Sequence, residues 1–390
     1  MKKSITPNQI RQNNINLIYQ YIYQSGTTSQ QDISYALHLS RPTVANGLNE
    51  LEDVGLIQKS GQLDSDYVGR KATAYSIVHD YKLSIGVEII ANQVKIVSVD
   101  LYEKYTKREV YEISYRNDEE YFKTVCKYIT DFVDKIEYSF SPLTKSEKYK
   151  HVLGAGIALQ GLISPDGSTA TYGKILDCTG LKIDNFSKHL PFPCTFIHDS
   201  TAAAVSEMCV SPEINDAFYL LLSYHLGAAM IFNKSILSGK HGHNATIEHI
   251  VFKPGEKDCY CGKKGCAETL CSINALLEGF EDSLDLFFKN ARKSGSKEAL
   301  RWQQYLEDLA IIINNIHLIY DTDFILGGYL AAYLNQDDVD VLYNHIATMT
   351  PFEAYRDYIY ISKMPKHGIT IGAALIYIKD FLDNKIKDEF

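Results

Sequence analysis

His249, Cys259, Cys261 and Cys266 are the residues of this 390-residue chain best suited to hold a metal. The last three stand in the run Cys259-Tyr260-Cys261-Gly262-Lys263-Lys264-Gly265-Cys266. One imidazole and three thiolates complete a tetrahedral zinc set. Gly262 and Gly265 permit the tight turns that bring Cys261 and Cys266 onto one ion. Four protein ligands leave no open position, so one structural zinc per chain is expected, not a catalytic one. The alternative is a group of buried free thiols, and Cys271 is not expected to be a ligand. Cys126, Cys178, Cys194 and Cys209 are scattered. A secreted disulfide framework would spread its cysteines through a short chain, whereas local clustering in a cytosolic chain reads as metal.

A second set of residues suits nucleic acid. Arg41, Thr43, Asn46, Asn49 and Glu50 share the exposed face of a short helix that starts at Arg41-Pro42. Arginine pairs bidentately with guanine and asparagine with adenine in a major groove. Gly69-Arg70-Lys71 places two cations beside a flexible residue, which suits phosphates or an adjacent minor groove.

Those side chains need a frame, and residues 1–78 supply one. Ile15, Ile18, Tyr19 and Ile22 fall on one helical face, and Gly26 stops that helix. Thr28 or Ser29 caps a second helix with Ile33, Ala36 and Leu37 inward. A turn follows at His38-Leu39-Ser40, with His38 where glycine often stands; a left-handed histidine is tolerable there. Ser40 caps a third helix, Pro42 sits in its first turn, and Val44, Leu48 and Leu51 face inward. Gly55 ends it. Leu56-Ile57 opens a strand, Ser60 to Asp66 is a polar loop, and Tyr67-Val68 begins the return toward Tyr75–Val78. This predicts a winged helix-turn-helix that reads a double-stranded DNA operator, with Arg41, Pro42, Thr43, Asn46, Asn49, Arg70 and Lys71 as contacts. A protein–protein module on the same core is the alternative.

Charge separates this segment from the rest. Residues 1–78 carry seven Lys/Arg against six Asp/Glu, and the remainder 32 against 42, for a net of −9 overall. A protein coating nucleic acid over its whole surface would be basic, so a DNA role is confined to the N-terminal segment. The N-terminus lacks an apolar signal segment, and the most apolar window, Ala217 to Phe232, is shorter than the ~20 residues of a spanning helix. A soluble cytoplasmic protein with no membrane role is expected.

From Lys82 onward strands alternate with helices. Leu83–Ile89 and Val94–Val99 read as a hairpin, Asp118–Tyr138 as a helix, Val152–Leu159 and Thr195–His198 as buried strands. Phe218–Ser223 and Ala229–Ile231 follow. Helix fills Ile273 to about Asp321 with a break near Ser294-Gly295-Ser296, and Phe324–Gly328 is a strand ending in a glycine pair. This is an α/β pattern, and no internal repeat is visible in the residues.

Taken together, the Gly-Arg-Lys wing, the strand–helix domain and the His…Cys-x-Cys-Gly-x-x-Gly-Cys-x-Glu run ending at Glu268 resemble the ROK family (repressors, open reading frames, kinases). The resemblance covers nearly the whole chain and points to its repressor branch, which includes xylose and N-acetylglucosamine repressors. It implies an actin-like (ribonuclease-H-like) two-lobed domain with a sugar in the cleft and zinc beside it. On that basis lobe 1 spans 82–200 and is completed by a C-terminal helix at about 368–386. Lobe 2 spans 201–367 and carries the zinc loop 249–266.

The resemblance also assigns residues. The family's Asn-Asp motif is His198-Asp199 here; in the kinases that Asp is the general base. The alternative for Asp199 is an N-cap on the Ala-rich helix that follows. The family's Glu-x-Gly-His is Thr246-Ile247-Glu248-His249, so the sugar-binding Glu has become Thr246. Glu248, two positions away, is not an obvious substitute. Gln160-Gly161 matches a sugar-binding Pro-Gly turn. The implied sugar site is therefore Gly161, His198, Asp199, Thr246 and His249, for a small sugar or sugar phosphate. The nucleotide motifs are degenerate. Glu88-Ile89-Ile90-Ala91-Asn92 stands where kinases have Asp-x-Gly-Gly-Thr, and Ser223-Tyr224-His225-Leu226-Gly227 where they have Gly-Thr-Gly-Ile-Gly. Phosphate loops need backbone N–H groups that ligands can approach, and Ile90, Tyr224 and His225 block this.

The expectation is a sugar-responsive, DNA-binding repressor, homodimeric or homotetrameric, with a catalytically silent kinase-like domain. The alternatives are a sugar kinase with a fused DNA-binding domain and a DNA-binding regulator without a sugar ligand.

Overall fold

The computed structural model describes residues 6–63, 71–280, 283–353, 355–364 and 367–389. Its N-terminal part has three helices, Pro7–Ser25, Gln30–Ala36 and Arg41–Asp53, and strands Ile57–Leu63 and Ala72–Ile77. Each helix starts at a polar cap. Thr6 accepts from Gln9 N–H, Ser29 from Asp32 N–H and Ser40 from Thr43 N–H, satisfying donors that have no partner within the helix. His38 is left-handed, with φ 53°. A pair not read from the residues, Thr28–Ser29, adds antiparallel to Ala74–Tyr75 and makes a three-stranded sheet. The expected turn residues Tyr67, Val68, Gly69 and Arg70 lie outside the described residues.

Two five-stranded sheets follow. The first orders Cys194–His198, Val152–Leu159, Leu83–Ile90, Gln93–Asp100 and Tyr105–Glu112. The second orders Ser235–Ile236, Leu226–Phe232, Ala217–Leu222, Asp323–Gly327 and Ile359–Ile361. Numbered along the chain, both sheets run 3-2-1-4-5, with strand 2 antiparallel to strand 1 and strand 4 parallel to it. The same unit is built twice, although no repeat shows in the residues. Tyr105–Glu112 was not foreseen; it is an edge strand without a buried residue, so no apolar alternation marks it. The long helical stretch is cut twice, into Ile273–Leu277, Leu284–Ala291 and Lys297–His317, the last capped by Ser296.

Helix Gly368–Asp380 ties these parts together. It packs on the first sheet so closely that a Cβ on Gly86 would lie 1.8 Å from the Thr370 carbonyl oxygen. A Cβ on Gly372 would lie 1.7 Å from that of Ala202, in helix Asp199–Val210. Its other face joins Ile371, Leu375 and Ile378 to Ile15, Ile18, Tyr19 and Ile22 of the first helix in one apolar cluster. The N-terminal part therefore shares an apolar cluster, which also includes Phe381 and Ile386, with a helix that touches the helix beginning at Asp199.

Candidate functional site

The metal residues converge. His249 ends a 3-10 turn, Ile247–His249, and the cysteine loop folds back beside it through Val251–Cys266 and Asp258–Lys264 bridges. Gly262 and Gly265 are left-handed, at φ 84° and 74°. A Cβ on Gly265 would sit 1.8 Å from the Lys253 carbonyl oxygen, so only glycine fits. The ligand atoms of His249, Cys259, Cys261 and Cys266 all lie within 4.8 Å of one another. Cys261 and Cys266 sulfurs are 3.7 Å apart, and Cys259 Sγ is 3.8 Å from His249 Nδ1. Two sulfurs each ~2.3 Å from a tetrahedral zinc are separated by ~3.8 Å, so the donor set fits a metal of that kind.

Beside it lies a cleft bounded by Gln160, Gly161, Tyr172, His198, Asp199, His225, Glu248, His249 and Tyr260. Strand Cys194–His198 delivers His198, and helix Asp199–Val210 starts at Asp199. Ser200 Oγ donates to the Ala228 carbonyl (2.7 Å), which leaves it to accept from His198 Nδ1 (2.9 Å). His198 Nε2 then faces Asp199 Oδ1 at 3.3 Å. Burial pushes the Asp199 carboxyl up and the His198 imidazole down, so the two groups compete for one proton. His198, not Asp199, is the N-cap of this helix, and no side chain caps it; Asp199 Oδ1 accepts from the adjacent Ser200 N–H (2.7 Å).

Of the five residues assigned to a sugar, Gly161, His198, Asp199 and His249 border this cleft. Thr246 does not; its hydroxyl donates to the His243 carbonyl (2.7 Å). Glu248, set aside in the sequence, is the acid that lies here instead. The 3-10 turn carries it inward, where it is buried among the cleft groups. Burial first, with Asp199 and Glu268 nearby, pushes its carboxyl up to about 8. Glu268 buttresses the far wall, accepting from His225 Nδ1 and Leu226 N–H, each at 2.7 Å. Tyr260, between two metal residues, covers the cleft, its ring edge-on to those of His249 and His225 at 5.1 and 5.5 Å. The free volume is about 20 Å³. That is room for one water and too little for a sugar ring.

The ROK family model matches residues 84–380, which include both sheets, the cleft and the metal residues. The chain belongs to the ROK family. It is 25% identical over 295 residues to the DNA-binding transcriptional dual regulator NagC of Escherichia coli K12, covering 71% of this chain and 68% of that one. The xylose repressor of Caldicellulosiruptor bescii is 22% identical over 398 residues, 96% of this chain and 97% of its own. The crystal structure of a ROK family transcriptional regulator, a homolog of the E. coli MLC protein, superposes with a TM-score of 0.72 at 20% identity, covering 97% and 99% of the two chains. The two-lobed domain thus has the actin-like, sugar-kinase-like fold of ROK proteins.

Away from the metal residues, the two lobes meet across Glu88 and Tyr329 with little free space between them. Strands Leu83–Ile90 and Gln93–Asp100 join through the two residues Ala91-Asn92. Lys95 of the first lobe donates to Glu88 Oε2 (3.3 Å) and to the hydroxyl of Tyr329 of the second, and Thr370 also donates to Glu88 Oε2 (3.1 Å). Tyr224 meets Tyr329 edge-on at 6.1 Å, and His225 is held by Glu268. The cavity left beside Glu88 and Tyr329 is about 20 Å³. Sequence reasoning missed this cross-link, because Lys95 and Tyr329 are 234 residues apart.

In the N-terminal part, Arg41, Pro42, Asn46 and Asn49 are exposed along helix Arg41–Asp53. The Thr43 hydroxyl is engaged with Ser40 Oγ (2.7 Å), and Glu50 accepts from Arg11 (3.0 Å). Lys71 is exposed, and Arg70 is outside the described residues. Among the described residues no helix is long and apolar enough to cross a membrane.

Proposed function

We propose that this ROK protein is a sugar-responsive transcriptional repressor whose kinase-like cleft senses a sugar without phosphorylating it. One observation carries the reading. A capped helix with Arg41, Asn46 and Asn49 exposed shares a chain with a kinase-like cleft whose phosphate side is filled by Lys95, Glu88 and Tyr329. Phosphoryl transfer depends on positioning and on charge stabilisation around the phosphates. Asp199 favours the kinase alternative, but a base facing no phosphoryl group has nothing to transfer.

In this reading residues 1–78 form the winged helix-turn-helix. Arg41, Asn46 and Asn49 read bases, Pro42 and Thr43 set the helix start, and Lys71 contacts phosphate. One recognition helix reads only a half-site, so the working form is a symmetric dimer or tetramer. A structural zinc is held by His249, Cys259, Cys261 and Cys266 and fixes the loop that carries Tyr260. The relatives' names, a DNA-binding regulator and a xylose repressor, support the same assignment. When a sugar opens the cleft, helix Asp199–Val210 moves at its first residue. Helix Gly368–Asp380, packed on it at Gly372, passes the change to the first helix.

The DNA half of this reading has a direct test. In gel shifts on DNA selected from genomic fragments, Asn46→Ala is expected to lose discrimination between selected and scrambled DNA by about tenfold, the ~1–3 kcal/mol of one bidentate base contact. Unchanged discrimination would remove Asn46 from the reading surface.

A further inference from the structure

We propose that Glu248 selects the effector, and that the effector is an unphosphorylated sugar presenting a hydroxyl or amino hydrogen to Glu248 Oε2. This rests on the sugar-sensing reading above and names the ligand class of that site. Glu248 is 5% exposed and borders the cleft, yet its Oε2 has no hydrogen-bond partner among the described residues. A buried oxygen left unpaired costs on the order of 1–3 kcal/mol, and a donor from a ligand removes that cost. Thr246 cannot supply the contact, since its hydroxyl is turned to His243.

Among the described residues the lining offers a phosphate little positive charge. Asp199 shares the cleft with Glu248, and Glu268 stands behind the wall, with His225 between. Whether or not Glu248 carries a proton, it adds no positive charge. His198 faces Asp199, and His249 belongs to the metal set, where three thiolates outweigh a divalent ion. Lys174 is the cation on the lining among the described residues, and it lies exposed at the rim. No arginine fork, the group that grips phosphate bidentately, borders the cleft among those residues. A phosphate carried inside would meet two carboxyl groups and no buried cation among the described residues, whereas hydroxyls and an ammonium would meet acceptor oxygens.

The test is thermal-shift titration of the full-length, metal-loaded protein with glucose, xylose, glucosamine and N-acetylglucosamine, and with glucose 6-phosphate and glucosamine 6-phosphate. At least one free sugar is expected to raise the melting temperature, with a 6-phosphate partner at least about tenfold weaker. Glu248→Ala is expected to weaken that sugar about tenfold or more. Glu248→Gln preserves the side chain's shape and should keep wild-type metal content and melting temperature while changing which sugar binds best. Tighter binding of the phosphates than of the free sugars would overturn this assignment and leave sugar sensing standing. Unchanged binding and sugar preference in both Glu248 variants would overturn it too. No shift with any sugar or sugar phosphate would overturn sugar sensing itself, and this assignment with it.

Discussion

Lys95→Met is expected to lower stability by roughly 3–5 kcal/mol, the cost of leaving one charge of a buried pair alone. The Lys95 and Glu88 side chains are only 10% and 5% exposed. Burial alone would push the Lys95 ammonium down, but Glu88 and the Tyr329 hydroxyl outweigh it and hold the group above its usual range. Without Lys95, Glu88 keeps only the Thr370 hydroxyl among the contacts described. Lys95→Met with Glu88→Leu removes both charges and is expected to recover most of the loss, because replacing a buried pair costs far less than breaking it. Equilibrium denaturation of the three proteins checks this. The wild type should also show no melting shift with ATP and no sugar-dependent ADP release. A Lys95→Met protein as stable as wild type would mean that the lobes are not joined there.

Cys261→Ser is expected to abolish metal binding and loosen the whole loop from His249 to Cys266. Structural zinc contributes on the order of 10–16 kcal/mol in small zinc-dependent folds, so even a fraction of that exceeds what a short irregular loop gains from its own hydrogen bonds. Elemental analysis should find one zinc per wild-type chain and none in the variant. Limited proteolysis should then cut the variant near the loop. DNA binding should survive, since Ala267, Leu270 and Cys271 beside the loop belong to a different apolar cluster from Val44, Leu48 and Leu51 of helix Arg41–Asp53, but sugar response should be lost as Tyr260 leaves His225 and His249. Protein purified without chelators and containing no metal would rule out the centre.

Local chemistry was readable from the residues, and non-local chemistry was not. Ser40 and Pro42 announced the third helix because capping is a matter of adjacent atoms. The metal residues announced themselves through spacing, and the left-handed glycines agree with it. The residues singled out Thr246 and set Glu248 aside, whereas Glu248, not Thr246, borders the cleft. A short 3-10 turn decides which side chain points inward, and three residues are too few to show periodicity. The Lys95–Tyr329 contact joins two lobes and leaves no local trace. The doubled sheet topology survives with no visible repeat because a fold needs apolar strands in order, not particular residues.

In the proposed reading one chain couples a sugar to DNA through Asp199. The most direct measurement is the affinity for selected DNA, by fluorescence anisotropy at fixed salt, with and without the sugar that gives the largest thermal shift. Wild type should bind DNA and change its Kd at least about tenfold with sugar, a coupling of ~1.4 kcal/mol. Asp199→Ala should bind DNA with the same affinity and show no change. Sugar-dependent DNA binding that persists unaltered in Asp199→Ala, or a wild-type Kd indifferent to every sugar, would contradict the account.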